Sequence, residues 1–158
     1  MRNYFLFFFL LLFFNSCQKE VKNNIDTSTI EVKFMINRFE QDFYSHKGED
    51  LEELKKKYPI LFPENTPDSI WMAKIKDKDE QELYTETQKL YSSFSDIETE
   101  LRSLFKYITH YNPMFNTPNI ITGLSNIDYN YRVIYNQRLV FISLDVYLGS
   151  KHPFYGDY

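Results

Sequence analysis

Glycine is scarce in this chain, four residues in 158, and cysteine is scarcer, with one. Four scattered glycines leave no Gly-rich loop to cradle a phosphate. A single cysteine excludes an internal disulfide and a thiolate metal cluster. The three histidines, His46, His110 and His152, share no metal-ligand spacing, and no His-Glu-x-x-His marks the helix of a zinc peptidase. No Gly-x-Ser-x-Gly elbow is present either. Basic charge is short: 18 Lys and Arg stand against 22 Asp and Glu, a net −4, which argues against nucleic acid as a partner. No apolar run reaches the ~20 residues a membrane-spanning helix needs. The sequence therefore assigns no catalytic residue, no metal ligand and no cofactor. The close carboxylates Glu52-Glu53 and Asp77/Asp79/Glu80 read as charge on helix surfaces.

What is there begins at the N-terminus. Arg2 is followed by the apolar run Tyr4 to Phe14, eleven residues, and then by Asn15, Ser16 and Cys17. Eleven helical residues extend about 16 Å, too short to cross a bilayer but the right length for the apolar region of a secretory signal. A small residue followed by a lone cysteine looks like a bacterial lipobox, although Phe14-Asn15 is bulkier than usual. In that pattern the signal is cut before the cysteine and the thiol is lipidated. An ordinary signal peptide would instead leave a free thiol in an oxidising compartment. The expected division is a lipoprotein signal peptide over residues 1–16, a flexible lipid-anchored tether over 17–29, and one domain over 30–158. Removing the signal leaves 142 residues with a net charge of −5, enough for one real core. Several acyl chains, at about 0.8 kcal/mol per buried CH₂, hold a protein at a membrane without a spanning helix. Gln18 stands where an inner-membrane retention signal has aspartate, which favours the outer membrane over the inner.

Along the domain, Ile30, Val32, Phe34 and Ile36 alternate with polar residues and predict an entering strand. Phe39 and Phe43 suit a short helix over Arg38 to Tyr44. Asp50 to Lys57 predicts a clearer one, acidic in its first turn and basic in its last, stopped by Pro59. Thr66-Pro67-Asp68 reads as N-cap, first-turn proline and acidic start of the next helix. Asp79 to Tyr91 continues the helical pattern. Ser95-x-x-Glu98 reads as a capping box opening the strongest helix, with Ile97, Leu101, Leu104, Phe105, Ile108 and Tyr111 on one face. Period two then takes over. Ile120 to Thr122, Tyr129 to Tyr135 and Arg138 to Leu144 predict strands, with a turn at Asn136-Gln137. Helices followed by an antiparallel β-meander give an α+β class. No later helix is expected to cover the meander's second face, so the chain reads as truncated.

Aromatic residues are abundant at 18%, including 13 tyrosines. Tyr129, Tyr131 and Tyr135 fall on one face of a predicted strand and form the candidate interaction surface, because tyrosine offers an apolar body and a polar tip. Cross-strand packing is the plainer reading of the same stripe. His110 reads as a helix-end cation and His152 as part of a turn.

Taken in order, several blocks resemble the gliding-motility lipoprotein GldB family of Bacteroidetes. They are the signal with Cys17, Arg38 to Tyr44, Asp50 to Phe62, Thr66 to Trp71, Leu101 to Tyr111, Ile142 to Gly149, and His152 to Tyr155. Members are about twice this length, so the chain resembles an N-terminal half. The resemblance implies a non-enzymatic scaffold or interaction subunit of the gliding machinery, lipid-anchored in the cell envelope through Cys17, with other gliding proteins as partners. Only Cys17 carries over as a functional residue. Two other readings are an N-terminal part of a zincin-like metallopeptidase domain and a sugar-binding lipoprotein using the tyrosines.

Overall fold

The computed structural model describes residues 25–45 and 50–156. The elements run β1 (Ile36–Arg38), α1 (Phe39–Ser45), α2 (Leu51–Lys57), α3 (Asp68–Lys76), α4 (Lys78–Tyr91), α5 (Ser95–Tyr111), β2 (Asn119–Gly123), β3 (Val133–Asn136) and β4 (Leu139–Ser143). Short 3-10 turns occupy Pro59–Leu61, Tyr129–Tyr131, Leu144–Tyr147 and Pro153–Tyr155. The α+β class read from the sequence holds.

The sheet has the order β1-β2-β4-β3. Its pairing corrects the expected meander. β1 and β4 both run parallel to β2, and only β3 is antiparallel, to β4. The reason lies in burial. Parallel strands are favoured where both faces are covered, and here they are. On one face Ile121, Leu139 and Phe141 meet a core of Phe43, Tyr58, Phe62 and Ile75 from α1, α3 and the segment after α2. On the other, Ile120, Val140 and Ile142 meet Phe105, Leu101 and Ile108 of α5. The second face expected to be bare is thus covered by a helix that precedes the strands in sequence. β3 is the exception: all four of its residues are exposed.

The alternation at Ile30 to Ile36 has a different cause from the one expected. Only Ile36–Arg38 pairs as strand. Residues before it are pinned onto α5, where Val32 is buried, Phe34 meets Phe105 edge-on at 5.1 Å, and Arg102 donates to the Val32 carbonyl at 3.0 Å. Packing on a helix imposed the period of two, without a partner strand.

Helix starts also shift. α3 begins at Asp68, with Pro67 rather than Thr66 in the cap position. Ser95 is the first residue of α5, not its cap, and Glu98 pairs with Arg102 at 2.7 Å instead of closing a capping box. Asp77 does cap α4, accepting from the Asp79 and Glu80 N–H groups at 3.0 Å each. A buried ion pair ties the layers together. Glu40, with a fully buried side chain, lies 2.6 Å from Arg38 and accepts from the Thr122 hydroxyl at 2.6 Å. Among the described residues no helix is long and apolar enough to cross a membrane.

Candidate functional site

The three tyrosines singled out in the sequence sit on two elements rather than one strand. Asp128 accepts from the Asn130 N–H at 2.9 Å and turns the chain, so Tyr129 and Tyr131 lie in a 3-10 turn and only Tyr135 is on β3. All three are exposed, by 45%, 54% and 59% respectively, so none is a core residue, while Tyr135 stands opposite Val140 in the β3–β4 pair. Tyr129 approaches one buried ring, Tyr155, at 6.2 Å.

Although its side chains face solvent, the backbone of this rim is held firmly from below. Ser143, fully buried, donates its hydroxyl to the Tyr131 carbonyl at 2.7 Å, and its N–H donates to the Arg132 carbonyl at 3.0 Å. Asp145, also fully buried, accepts from the Ser125 N–H at 3.1 Å to each oxygen and from the Ile127 N–H at 2.6 Å. Burial pushes the Asp145 carboxyl above the usual range, against the lowering effect of those donors. Asn126 and Ile127 both take φ of 60°, and for a β-branched residue that is a strained conformation. Strain of this kind costs about 1–3 kcal/mol per residue and persists only where surroundings enforce it. The Asp145 carboxylate supplies that enforcement. Tyr155 completes the support, donating to the Asp145 carbonyl at 3.0 Å and accepting from the Leu148 N–H at 2.6 Å.

Next to β3 lies an apolar groove of about 350 Å³ lined by Ile60, Leu61, Leu124, Ile134, Leu139 and Phe141, together with Tyr131. Ile134 and Phe141 are cross-strand partners, so β3 and β4 form its floor on one face. Sequence reasoning found the tyrosines but missed Ser143, Asp145 and this groove. The available signal was an aspartate directly after an apolar strand, a position where a carboxylate is buried and must find donors.

The other candidates separate. Among the described residues no three His, Cys, Asp or Glu side chains cluster closely enough to hold a metal. His110 is exposed at the end of α5 against Tyr111. His152 accepts from the Phe154 N–H at 3.3 Å through Nδ1, which is the turn role expected of it. Glu52 and Glu53 are exposed on α2, and Glu80 is engaged by Tyr44 and Lys74. Cys17, His46 and Tyr158 lie outside the described residues.

A family model described as gliding motility protein GldB matches residues 20–158. No curated protein and no solved structure matches the chain.

Proposed function

The chain belongs to the gliding motility protein GldB family, and from that membership we propose that it is a non-enzymatic docking or scaffold subunit of the gliding machinery. In this reading residues 1–16 are a signal peptide, Cys17 carries the lipid, and residues 17–29 tether the domain to the envelope, at the outer membrane rather than the inner. The contact surface is the rim of Tyr129, Tyr131 and Tyr135. One observation carries the reading: three exposed tyrosines sit on a backbone pre-set by the buried Ser143 and Asp145. Rigid, exposed aromatic residues lose little entropy on binding and are enriched at protein interfaces. A lipid tether adds to this by raising the local concentration of a partner at the same membrane.

Deleting the gene is expected to abolish spreading over surfaces while growth continues. A fatty-acid analogue should label the wild type and not Cys17→Ala; persistent labelling of the mutant would defeat the lipobox. Tyr129→Ser combined with Tyr131→Ser should fold normally and lose spreading, since the Ser143 bond goes to the Tyr131 backbone. Normal spreading in that variant removes the tyrosines from the function. Zinc-dependent cleavage of a peptide substrate by the protein would overturn the non-enzymatic role.

A further inference from the structure

We propose that β3 is the docking edge for an extended, acidic segment of a partner protein, which adds to the sheet as a fifth strand. This rests on the reading of the tyrosine rim as a contact surface and names the mode of contact. The sheet ends at β3, whose four residues Val133 to Asn136 are all exposed. The Ser143 N–H bonds the Arg132 carbonyl, so in the antiparallel ladder the pairs Ile134–Phe141 and Asn136–Leu139 exchange the following bonds. Val133 and Tyr135 therefore turn their N–H and C=O groups away from β4, toward open solvent. An added strand can bond to those groups without disturbing the hairpin.

Side-chain selectivity has a place beside the edge. Ile134 and Asn136 line the apolar groove on one face of β3, while Val133 and Tyr135 project on the other. Alternate residues of an incoming strand would pass over that groove, which favours aliphatic side chains there.

Charge settles which strand fits. From 129 to 144 the sequence has no carboxylate and two arginines, Arg132 and Arg138, in a protein whose net charge is −4. Both arginines are exposed, flank β3, and have no side-chain partner among the described residues. A second copy pairing antiparallel through β3 would crowd four arginines onto one short interface, and like charges across a strand pair are destabilising. The same charges block self-pairing and attract a strand with acidic flanks.

The test uses the full chain purified in mild detergent and a fluorescent peptide of alternating valine and threonine with paired glutamates at each end. Anisotropy is expected to show binding, about tenfold weaker when lysines replace the glutamates. N-methylating every backbone amide of the valine-threonine stretch should abolish binding, because neither edge of the peptide then offers a donor. Arg132→Glu with Arg138→Glu, both on the surface, should reverse the preference toward the lysine peptide. The proposal is overturned if the glutamate peptide does not bind, if the N-methylated one binds equally, or if binding ignores flank charge. Sedimentation showing a dimer of the chain that Tyr135→Pro dissolves would also overturn it, in favour of self-pairing. No peptide binding alongside tyrosine-dependent spreading sinks the edge and leaves the contact surface standing. Peptide binding with normal spreading in the tyrosine variant supports the edge and refutes that surface's part in motility.

Discussion

Replacing Glu40 by Leu should be among the most damaging single substitutions in this protein, and replacing Arg38 by Met at the same time should largely rescue it. The Glu40 side chain is 0% exposed and that of Arg38 14%. Arg38 also donates to the Tyr91 carbonyl at 2.8 Å and lies 4.8 Å over the Phe94 ring, so the pair joins β1, α1, β2 and the end of α4. Removing one member of such a pair strands the other charge, at about 3–5 kcal/mol. Removing both leaves the buried Thr122 hydroxyl short of a partner, at about 1–3 kcal/mol, while the carbonyl of the half-buried Tyr91 can turn to water. The double variant should therefore be more stable than Glu40→Leu alone, by roughly 2 kcal/mol. Urea unfolding of the wild type, both single variants and the double variant measures this. With a slope of about 2 kcal/mol/M, Glu40→Leu should lower the midpoint by about 2 M and the double by about 1 M. Single effects that add to within about 0.5 kcal/mol would refute the coupling.

Tyr44 and Tyr58 donate to Glu80 and Asp42, and burial, followed by those carboxylates, pushes both phenols well above their ordinary value. The folded state then holds protons that the unfolded state releases, so stability is full below about pH 10 and declines as pH rises further. Thermal melts from pH 9 upward should show that decline, and Tyr44→Phe with Tyr58→Phe should flatten it; an unchanged slope would exclude these phenols. A Cβ at Gly123 would lie 2.6 Å from Phe141 Cζ and 2.8 Å from Cε2, so Gly123→Ala must displace a ring that also lines the groove. A loss of about 1–3 kcal/mol is expected on thermal or urea unfolding, and an unaltered midpoint would show that the ring moves freely. Tyr155→Phe strands the buried Leu148 N–H, at about 1–3 kcal/mol. Hydrogen exchange should quicken at residues 144–148, and unchanged protection there would mean that the hydroxyl is not what holds the turn.

Helices were the legible part of this sequence. α5 forms where its 3.6-residue pattern places it, and Leu101, Phe105 and Ile108 of the predicted face pack on the sheet, whereas Leu104 and Tyr111 of that face are exposed. Strands were legible as apolar stretches but not as a topology. Ile120-Ile121 and Val140 to Ile142 give no sign of their relative direction, which depends on helices placed on both faces. Tyr129 to Tyr135 alternates like a strand throughout, yet a single side-chain cap from Asp128 turns its first half into a 3-10 segment. Local hydrogen bonding won over periodicity there. The tyrosines themselves could be named from the sequence. Their exposure could not, because alternation is the same whether a strand is covered or lies at an edge. Asp145 was invisible for a related reason: its donors come from a loop some 20 residues earlier.

The place of β1 in the sheet also governs the order in which the chain can fold. Its neighbour in the ladder is β2, with contacts spanning 84 residues, as between Met35 and Asn119. Closing a loop of that length costs about 4 kcal/mol of chain entropy before any contact compensates. The β3–β4 hairpin closes across two residues, Gln137 and Arg138, and the helices need only their own segments. β1 is thus the last strand to join, although it is the first to be synthesised. A chain emerging N-terminus first, from a ribosome or through a pore, has no partner for that end until β2 has followed it out. Until then β1 has no ladder partner, and assembly of the sheet completes in one late step.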